Sequence, residues 1–440
     1  PDDEKNPLIG ECTVIRAMFY YLLTCTFGDV PFYECEVTDA NNSEIATLPR
    51  TSASVIRKTI SDELYLWLIQ KKALPFERTY DDVNTVSYRM GAAVGLMLGG
   101  KMCMWDHRWD EAKEFYGYLE GIYGNGAGNP EGSLDQYPLS DVKFRNKYTK
   151  ESIWEIADTC QPYGLRIVHN LATVCTPSHT ATSSEEDDED IVDDNDYYGG
   201  IAIPEMGNMV HTITATRPTR KLYYGSKALM SYNAGSGDLR ACTSNSAGVI
   251  EGGGGYLAWG WIGYLPGEDR SKIDPHWNWF SGFSATSKPY LGDKFWCFGM
   301  QNSSDFNNPK MFRYAGVLLD LAEANLMSDD ASLACTYLNE VKRRAGLPAV
   351  DPSIGEEALM NEIMDECGRE LLGEFQRKYD LVRWGIWYET VKASRESNAV
   401  SGDNFLENIK PCHRYYPVPS EQITYSGGAL SNPEYEKYGI

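Results

Sequence analysis

Helical periodicity near both ends of the chain, and its weakness in the middle, limits the possible folds more than any other feature. Apolar residues that recur every three or four positions predict helices at 11–25, 52–69, 87–104, 109–122, 313–327, 332–345, 356–372 and 375–391. Short polar turns join consecutive helices, so they form helix-turn-helix pairs of about tetratricopeptide length. Gly95, Gly99 and Gly100 lie inside one of these helices and predict that a neighbouring helix approaches closely there.

Residues 124–308 differ in composition and are rich in Gly, Ser, Asn, Asp, Trp and Tyr. We predict loops and turns there, with short strands at 152–157 and 296–299. The fold class is therefore mainly α, or α+β overall: a tetratricopeptide-like helical-pair scaffold with a large irregular, loop-rich insertion. The predicted division is a helical scaffold at 1–123, an irregular aromatic-rich ligand-binding region at 124–308, a second helical scaffold at 309–395, and an extended segment at 396–440 that packs back on the scaffold.

Charge and hydropathy exclude some classes of protein. The 440 residues include 63 acidic and 40 basic side chains, for a net charge of -23. Proteins that bind nucleic acid use basic surfaces to displace counterions from the phosphates. Because this chain is strongly acidic, we predict no nucleic-acid partner. The longest apolar stretch, 14–23, is interrupted by Arg16. We therefore predict no helix that reaches the roughly 18 apolar residues of a membrane span.

The cysteines and the first residues give information on the cellular compartment of the protein. The 11 cysteines are odd in number and none form a CxxC pair, which argues against zinc ribbons, thioredoxin-like sites and a fully paired disulfide framework. We expect buried apolar thiols, a usage that taken alone favours a reducing compartment. The chain begins with Pro1 and not Met, which favours removal of a targeting segment.

Motifs for catalysis or metal binding are absent from the sequence. It has no Walker A loop, HExxH, nucleophile elbow or strand-linked GxGxxG, and its six histidines lack ligand spacing, so we predict no cofactor and no metal. Glu366, Glu370 and Glu374 are spaced as paired catalytic carboxylates would be, but a charged helix face paired with neighbouring cations is favoured. The acidic run 185–190 suits either calcium or, preferably, a solvated mobile loop.

An aromatic cluster in the turn-rich middle is the best candidate binding site. Two Trp-x-Trp pairs, at 259/261 and 277/279, lie where a regular helix would not bury them. Flat aromatic faces stack on the C–H faces of sugar rings, and adjacent polar groups bind hydroxyls. The candidate ligand-binding residues are Trp259, Trp261, Tyr264, Trp277, Asn278, Trp279 and Trp296.

Several segments resemble one family, the SusD/RagB-like outer-membrane nutrient-binding lipoproteins of Bacteroidetes. The segments that carry the resemblance are 11–31 (ECTVIRAMFYYLLTCTFGDVP), 48–52 (LPRTS), 313–324 (RYAGVLLDLAEA), 339–346 (NEVKRRAG), 366–385 (ECGRELLGEFQRKYDLVRWG), 417–423 (PVPSEQI) and 432–435 (NPEY). They cover both ends of the chain, whereas the middle matches little.

The resemblance implies a tetratricopeptide-like scaffold with a divergent ligand-binding region and no catalysis. It also implies a protein at the outer-membrane cell surface, held by an N-terminal lipid anchor that is absent from this chain. There it would capture glycans for a SusC-like TonB-dependent transporter. Three alternatives stay open: peptide capture within the same family, a helical-repeat protein-interaction scaffold, and a glycosidase that uses carboxylates near Trp259.

Overall fold

Helices dominate both ends of the chain, as the periodicity predicted. The computed structural model describes residues 2–81, 89–157, 238–244, 250–251, 256–259, 290–292, 294–295, 307–393 and 408–439. The N-terminal helices are α1 (Asp2–Phe27), α2 (Asn42–Ala46), α3 (Ala53–Leu64), α4 (Ala92–Trp105) and α5 (Trp109–Tyr123). The later helices are α6 (Tyr314–Leu326), α7 (Ala331–Arg344), α8 (Glu356–Glu370), α9 (Arg377–Arg383), α10 (Trp387–Ala393), α11 (Ser420–Tyr425) and α12 (Pro433–Glu436).

The predicted helix boundaries need three corrections. Helix α1 begins at Asp2 rather than at residue 11, α4 begins at Ala92 rather than at residue 87, and the helix predicted for 375–391 is divided into α9 and α10. The division falls at Gly385, whose φ of 74° takes the backbone out of the right-handed helical region. Helix α3 also continues into a π-helical turn, Tyr65–Gln70.

The strands in the described ranges form two small sheets. In the first, β1 (Ser152–Glu155), which the sequence predicted, pairs antiparallel with β6 (Lys310–Arg313), which it did not. The second sheet contains β2 (Ala241–Ser244), β3 (Ile250–Glu251), β4 (Leu257–Trp259) and β5 (Tyr290–Leu291) in the order β3-β2-β4-β5. Strand β4 runs parallel to β2 and antiparallel to β5. The strand predicted at 296–299 lies outside the described residues.

Helix α4 passes through the centre of the N-terminal helices, and its glycines permit this. A Cβ atom on Gly100 would lie 2.3 Å from a ring carbon of Tyr116, and one on Gly99 would lie 2.6 Å from the ring of Phe115. Any larger residue would therefore push α5 away from α4. The close helix contact predicted from these glycines is confirmed.

The helices from the two ends of the chain share one hydrophobic core. A buried polar link crosses it between α4, α5 and α6. Lys101 Nζ lies 2.8 Å from one carboxylate oxygen of Asp320, and the Tyr116 hydroxyl donates a 2.8 Å hydrogen bond to the same oxygen. Because a buried charge is costly without a partner, this link fixes the register between the two groups of helices.

Helix α1 is a core helix, although its length and composition would also suit a membrane span. The stretch Glu4–Phe27 is long and apolar enough to cross a bilayer. The prediction that no such helix exists is therefore wrong, because the aliphatic residues on either side of Arg16, among them Ile9, Val14 and Leu23, keep the average hydropathy high. Val14, Ala17, Tyr21 and Cys25 are buried in the common core, however, as expected for a core helix of a folded domain.

The C-terminal segment returns to the end of α1. The Tyr416 N–H donates a 2.8 Å hydrogen bond to the carbonyl of Thr26, and the ring of Tyr415 lies against Gly28. Asn432 forms two hydrogen bonds to the backbone of Val418. These contacts hold the segment beside α1.

The described cysteines are mostly buried, as predicted. Cys25, Cys103, Cys335, Cys367 and Cys412 are buried, whereas Cys12 and Cys35 are exposed. Burial raises the pKa of Cys25 and of Cys103 to about 12, so these thiols stay protonated and unreactive at neutral pH.

Candidate functional site

The described part of the predicted binding cluster is one backbone position. Trp259 ends strand β4, where it pairs with Thr243 of β2. The other candidates, Trp261, Tyr264, Trp277, Asn278, Trp279 and Trp296, lie outside the described residues. What the structure does describe is how the strands beside this cluster are held on the helical scaffold.

Arg240, which immediately precedes β2, is the first attachment point. Its guanidinium is fully buried and donates hydrogen bonds of 2.9 and 2.8 Å to the Asp238 carboxylate. It also reaches helix α8, with a 2.7 Å hydrogen bond to Glu366 and a 2.6 Å hydrogen bond to Glu370. A single side chain therefore ties the start of the second sheet to the C-terminal scaffold.

Tyr256 and Lys294 form the second attachment point. The Tyr256 backbone N–H donates a 2.8 Å hydrogen bond to the carbonyl of Arg240, and its hydroxyl lies 3.3 Å from Glu370. Lys294 Nζ lies 3.8 Å from the centre of the Tyr256 ring and donates 2.8 Å hydrogen bonds to Glu374 and to the carbonyl of Leu372. The ammonium is thus held by both an aromatic face and a carboxylate.

The ring of Phe295 fixes this turn against the scaffold. Gly373 has a φ of 76°, and a Cβ there would lie 2.2 Å from the Phe295 ring, so only glycine fits. The Phe295 ring also packs edge-on against Phe144, with ring centres 5.3 Å apart. Residues on both sides of the 260–289 segment are therefore anchored to the same part of the scaffold.

The three glutamates spaced by four residues lie at the centre of this anchor. They are buried: Glu366, Glu370 and Glu374 are at most 1% exposed, and Glu374 lies just beyond the end of α8. Of the partners predicted for them, Arg369 does pair with Glu366, at 2.7 Å. The interpretation of this motif as structural pairing within the scaffold agrees with the contacts.

Two more arginines complete the cluster. Arg313, the last residue of β6, donates a 2.6 Å hydrogen bond to Glu151 and pairs with Glu374 at 2.9 Å. Arg344, the last residue of α7, bridges Glu151 at 2.7 Å and Glu370 at 2.6 Å. We call this set of residues the buried charge cluster; its members are Glu151, Asp238, Arg240, Lys294, Arg313, Arg344, Glu366, Glu370 and Glu374.

The electrostatics of the cluster favour permanent charge. Burial raises the pKa of Glu370, but the guanidiniums of Arg313, Arg344 and Arg240 outweigh it and hold the pKa far below its ordinary value. The pKa of Glu151 is lowered in the same way, against burial, by Arg344 and Arg313. Burial lowers the pKa of Lys294 to about 8, with Glu374 opposing the shift.

This arrangement suits anchoring and not acid–base chemistry. The three glutamates are ion-paired and buried, whereas a general acid needs a proton to give and access to a substrate. Within the described ranges, no group of three or more His, Cys, Asp or Glu side chains is placed to hold a metal ion. The acidic run 185–190, considered above for calcium, lies outside those ranges.

Sequence reasoning missed Arg240, Lys294 and Arg313 as functional residues of the anchor. One signal was available: the four-residue spacing places Glu366 and Glu370 on one helix face. The three missed cations lie 57 to 130 residues away from the glutamates they contact, too far for any local pattern to indicate the pairing.

Comparison with known proteins finds a family match in the C-terminal part of the chain. The SusD family model matches residues 290–435, a stretch that includes Lys294, Arg313, Arg344, Glu366, Glu370 and Glu374. This part of the chain is therefore similar to the family that the sequence motifs resemble. The SusD-like protein P25 of Formosa agariphila is 31% identical over 141 residues, which are 31% of this chain and 26% of that relative.

Solved structures show the SusD-like fold over nearly the whole chain. Surface glycan-binding protein A from Bacteroides uniformis has a TM-score of 0.61 at 19% identity, covering 98% of this chain and 79% of that one. Surface glycan-binding protein A from Bacteroides thetaiotaomicron, in complex with laminarihexaose, has a TM-score of 0.55 at 17% identity, covering 98% and 79%. These similarities confirm the predicted tetratricopeptide-like helical scaffold.

Proposed function

We propose that this SusD-like chain is a non-catalytic surface glycan-binding protein. It captures oligosaccharides or polysaccharides and delivers them to a SusC-like TonB-dependent transporter in the outer membrane, beside which a lipid anchor holds it. The observation that carries the proposal is the SusD family match over residues 290–435. It is supported by structural relatives described as surface glycan-binding proteins, one of them in complex with laminarihexaose.

The roles proposed for the parts of the chain are those that the sequence predicted. The helical parts at 1–123 and 309–395 form the scaffold, 124–308 provides the ligand-binding region, and 396–440 packs back on the scaffold. The binding residues proposed are Trp259, Trp261, Tyr264, Trp277, Asn278, Trp279 and Trp296. Their aromatic rings would stack on sugar faces, while Asn278 would hydrogen-bond to hydroxyls.

The buried charge cluster supports this assignment physically. Trp259 follows Tyr256 by only three residues, about 10 Å of extended strand, and Tyr256 is tied to Glu370 and Lys294. A stacking platform that is already held in place loses less conformational freedom on binding, which favours affinity. Anchoring both flanks of the 260–289 segment to one site on the scaffold would serve this purpose.

A thermal-shift screen of the purified chain against oligosaccharides and peptides tests the proposal. A ligand that binds only the folded state raises Tm by mass action, so we expect a rise with at least one glycan class at millimolar concentration. The double variant Trp259→Ala/Trp277→Ala should abolish that rise. Trp67→Ala is the matched control, because Trp67 lies on the π-helical turn of the scaffold and stacks on Lys71.

The alternatives give different outcomes in the same experiment. A shift with peptides alone would replace glycan capture by peptide capture. Release of reducing sugar from a bound glycan would show a glycosidase. If the folded chain shows no rise in Tm with any glycan, the result would contradict the proposal and favour an interaction scaffold.

A further inference from the structure

Two basic residues lie beside the strands of the second sheet, and both are directed into the scaffold. Within 238–259 and 290–295 the sequence contains no other lysine or arginine. Arg240 is fully buried, and its four side-chain hydrogen bonds all end on carboxylates. Lys294 is also fully buried, and its ammonium donates a hydrogen bond to Glu374. Both cations are therefore used up by the scaffold.

The buried charge cluster that receives these cations has no positive charge to spare. Its five carboxylates are matched by its four cations together with Arg369, which pairs with Glu366 at 2.7 Å. The side chains of Arg313 and Arg344, the other two cations, are at most 5% exposed. A guanidinium that is buried and already paired cannot reach an acidic group on a ligand.

The strands of the second sheet add no cation of their own. The described strands β2, β3, β4 and β5 have the sequences ACTS, IE, LAW and YL, in which Glu251 is the only acidic or basic residue. The sequence of the 260–289 segment contains three basic and three acidic residues. The whole region 124–308 contains 14 basic and 23 acidic residues. The part of the chain assigned to ligand binding is therefore acidic overall.

We propose that the glycan bound by this chain is neutral and carries no uronic acid or sulfate groups; the inference rests on the glycan capture proposed above. Proteins bind carboxylates and similar oxyanions with arginine or lysine, because an anion that leaves water without a partner is costly. The seven candidate binding residues instead comprise six aromatic side chains and one neutral amide, Asn278. These groups suit the C–H faces and hydroxyls of an uncharged sugar.

Long-range electrostatics favour the same class of ligand. With a net charge of -23, the chain repels a polyanion as it approaches. This repulsion is screened beyond about 8 Å at physiological ionic strength, so it depends on salt. An amino sugar would be attracted by the net charge, but the candidate binding residues include no carboxylate to pair with its ammonium group. A neutral glycan meets neither effect, and its affinity should not depend on salt.

Calorimetric titration of the intact chain with three forms of one oligosaccharide tests the proposal. The forms are the neutral oligosaccharide, the same molecule oxidised at C6 to the uronic acid, and the methyl ester of that acid. Laminarihexaose, the ligand of one structural relative, is the first neutral oligosaccharide of a panel. We expect the acid to bind roughly tenfold or more weakly than the neutral form, because its carboxylates find no cation. The ester keeps the shape without the charge and should recover most of the affinity.

Salt gives a second measurement on the same ligands. Raising the sodium chloride concentration from about 20 to about 500 mM should narrow the difference between the acid and the neutral form, because it screens the repulsion. The affinity for the neutral form should stay the same.

A lysine introduced beside Trp259 is the matched test on the protein. Thr243 is the Cα partner of Trp259 in the β2–β4 pair, so Thr243→Lys places a cation on the neighbouring strand. It should improve binding of the acid several-fold relative to the neutral form. Val55→Lys is the control, because it adds the same charge at a 55% exposed position of α3 and should leave the ratio of the two affinities unchanged. Equal changes in that ratio for the two variants would overturn the proposal.

Three outcomes with the ligands would also overturn it. They are a carboxylated or sulfated glycan that binds as tightly as its neutral form, an amino sugar that binds more tightly, and an ester that binds no better than the acid. In each of these cases glycan capture itself would stand. Binding of no glycan of any class would instead refute glycan capture, and the preference for a neutral glycan with it.

Discussion

Replacing Arg240 by methionine should destabilise the protein strongly, because it removes the cation that joins the second sheet to α8. Methionine keeps most of the apolar volume but none of the donors. Four hydrogen bonds of 2.6 to 2.9 Å are lost, two to Asp238 and one each to Glu366 and Glu370. Three carboxylates then stay buried with less compensating charge.

The size of the loss follows from burial. Removing one partner from a buried ion pair costs about 3–5 kcal/mol, because the remaining charge is desolvated without its counterion. Glu366 keeps Arg369, and Glu370 keeps Arg313 and Arg344, which argues for the lower part of that range. A loss of about 3 kcal/mol is still a large fraction of the stability of a typical domain.

Urea unfolding, followed by tryptophan fluorescence and circular dichroism, measures this loss as a lower midpoint at unchanged slope. Arg414→Met is the matched control, since Arg414 also pairs with a carboxylate, Glu434, at 2.6 Å, but both side chains are nearly half exposed. That control should cost at most about 1 kcal/mol. The double variant Arg240→Met/Asp238→Asn should be more stable than Arg240→Met, because it removes a buried charge. Equal losses for Arg240→Met and Arg414→Met would refute the reasoning.

Further predictions concern packing and acid stability. Gly100→Ala should lower the free energy of unfolding by several kcal/mol, because its Cβ would overlap the Tyr116 ring. Gly121→Ala on α5 has open space around the new Cβ and should stabilise the protein by about 0.5–1 kcal/mol. Equal urea midpoints for the two variants would contradict the packing argument. Glu151 and Glu370 have folded pKa values below the roughly 4.3 of an unfolded glutamate, so the unfolded chain takes up protons first on acidification. The stability they contribute should be intact above about pH 5 and fall progressively below about pH 4. Urea midpoints measured between pH 7 and pH 3 test this. A midpoint that rises on acidification would contradict the stabilising role of the ion-paired glutamates.

The sequence predicted the helical scaffold well, because its signal is local. Periodicity located the helix pairs, and Gly99 and Gly100 correctly indicated close packing. Boundaries failed where the backbone departs from the pattern, as at Gly385. Strand β6 was missed because Lys310 and Arg313 look like surface residues, yet both are buried in ion pairs formed by distant partners.

The candidate site was less predictable, for a related reason. Spacing predicted Glu366, Glu370 and Glu374 on one face of a helix, but α8 ends at Glu370. Whether these carboxylates meet water or cations depends on Arg240, Lys294 and Arg313. Those cations lie far away in the sequence, and only the fold brings them together. Composition likewise identified the tryptophan pairs, but their exposure is a property of tertiary structure.

Glycan capture is tested most directly by isothermal titration calorimetry of the wild-type chain with a panel of oligosaccharides that includes laminarihexaose. The account predicts saturable binding of at least one glycan class, weakened at least tenfold in Trp259→Ala/Trp277→Ala and unchanged in Trp67→Ala. Folded protein that binds no glycan in the panel, or binds one equally well without these two tryptophans, would contradict it.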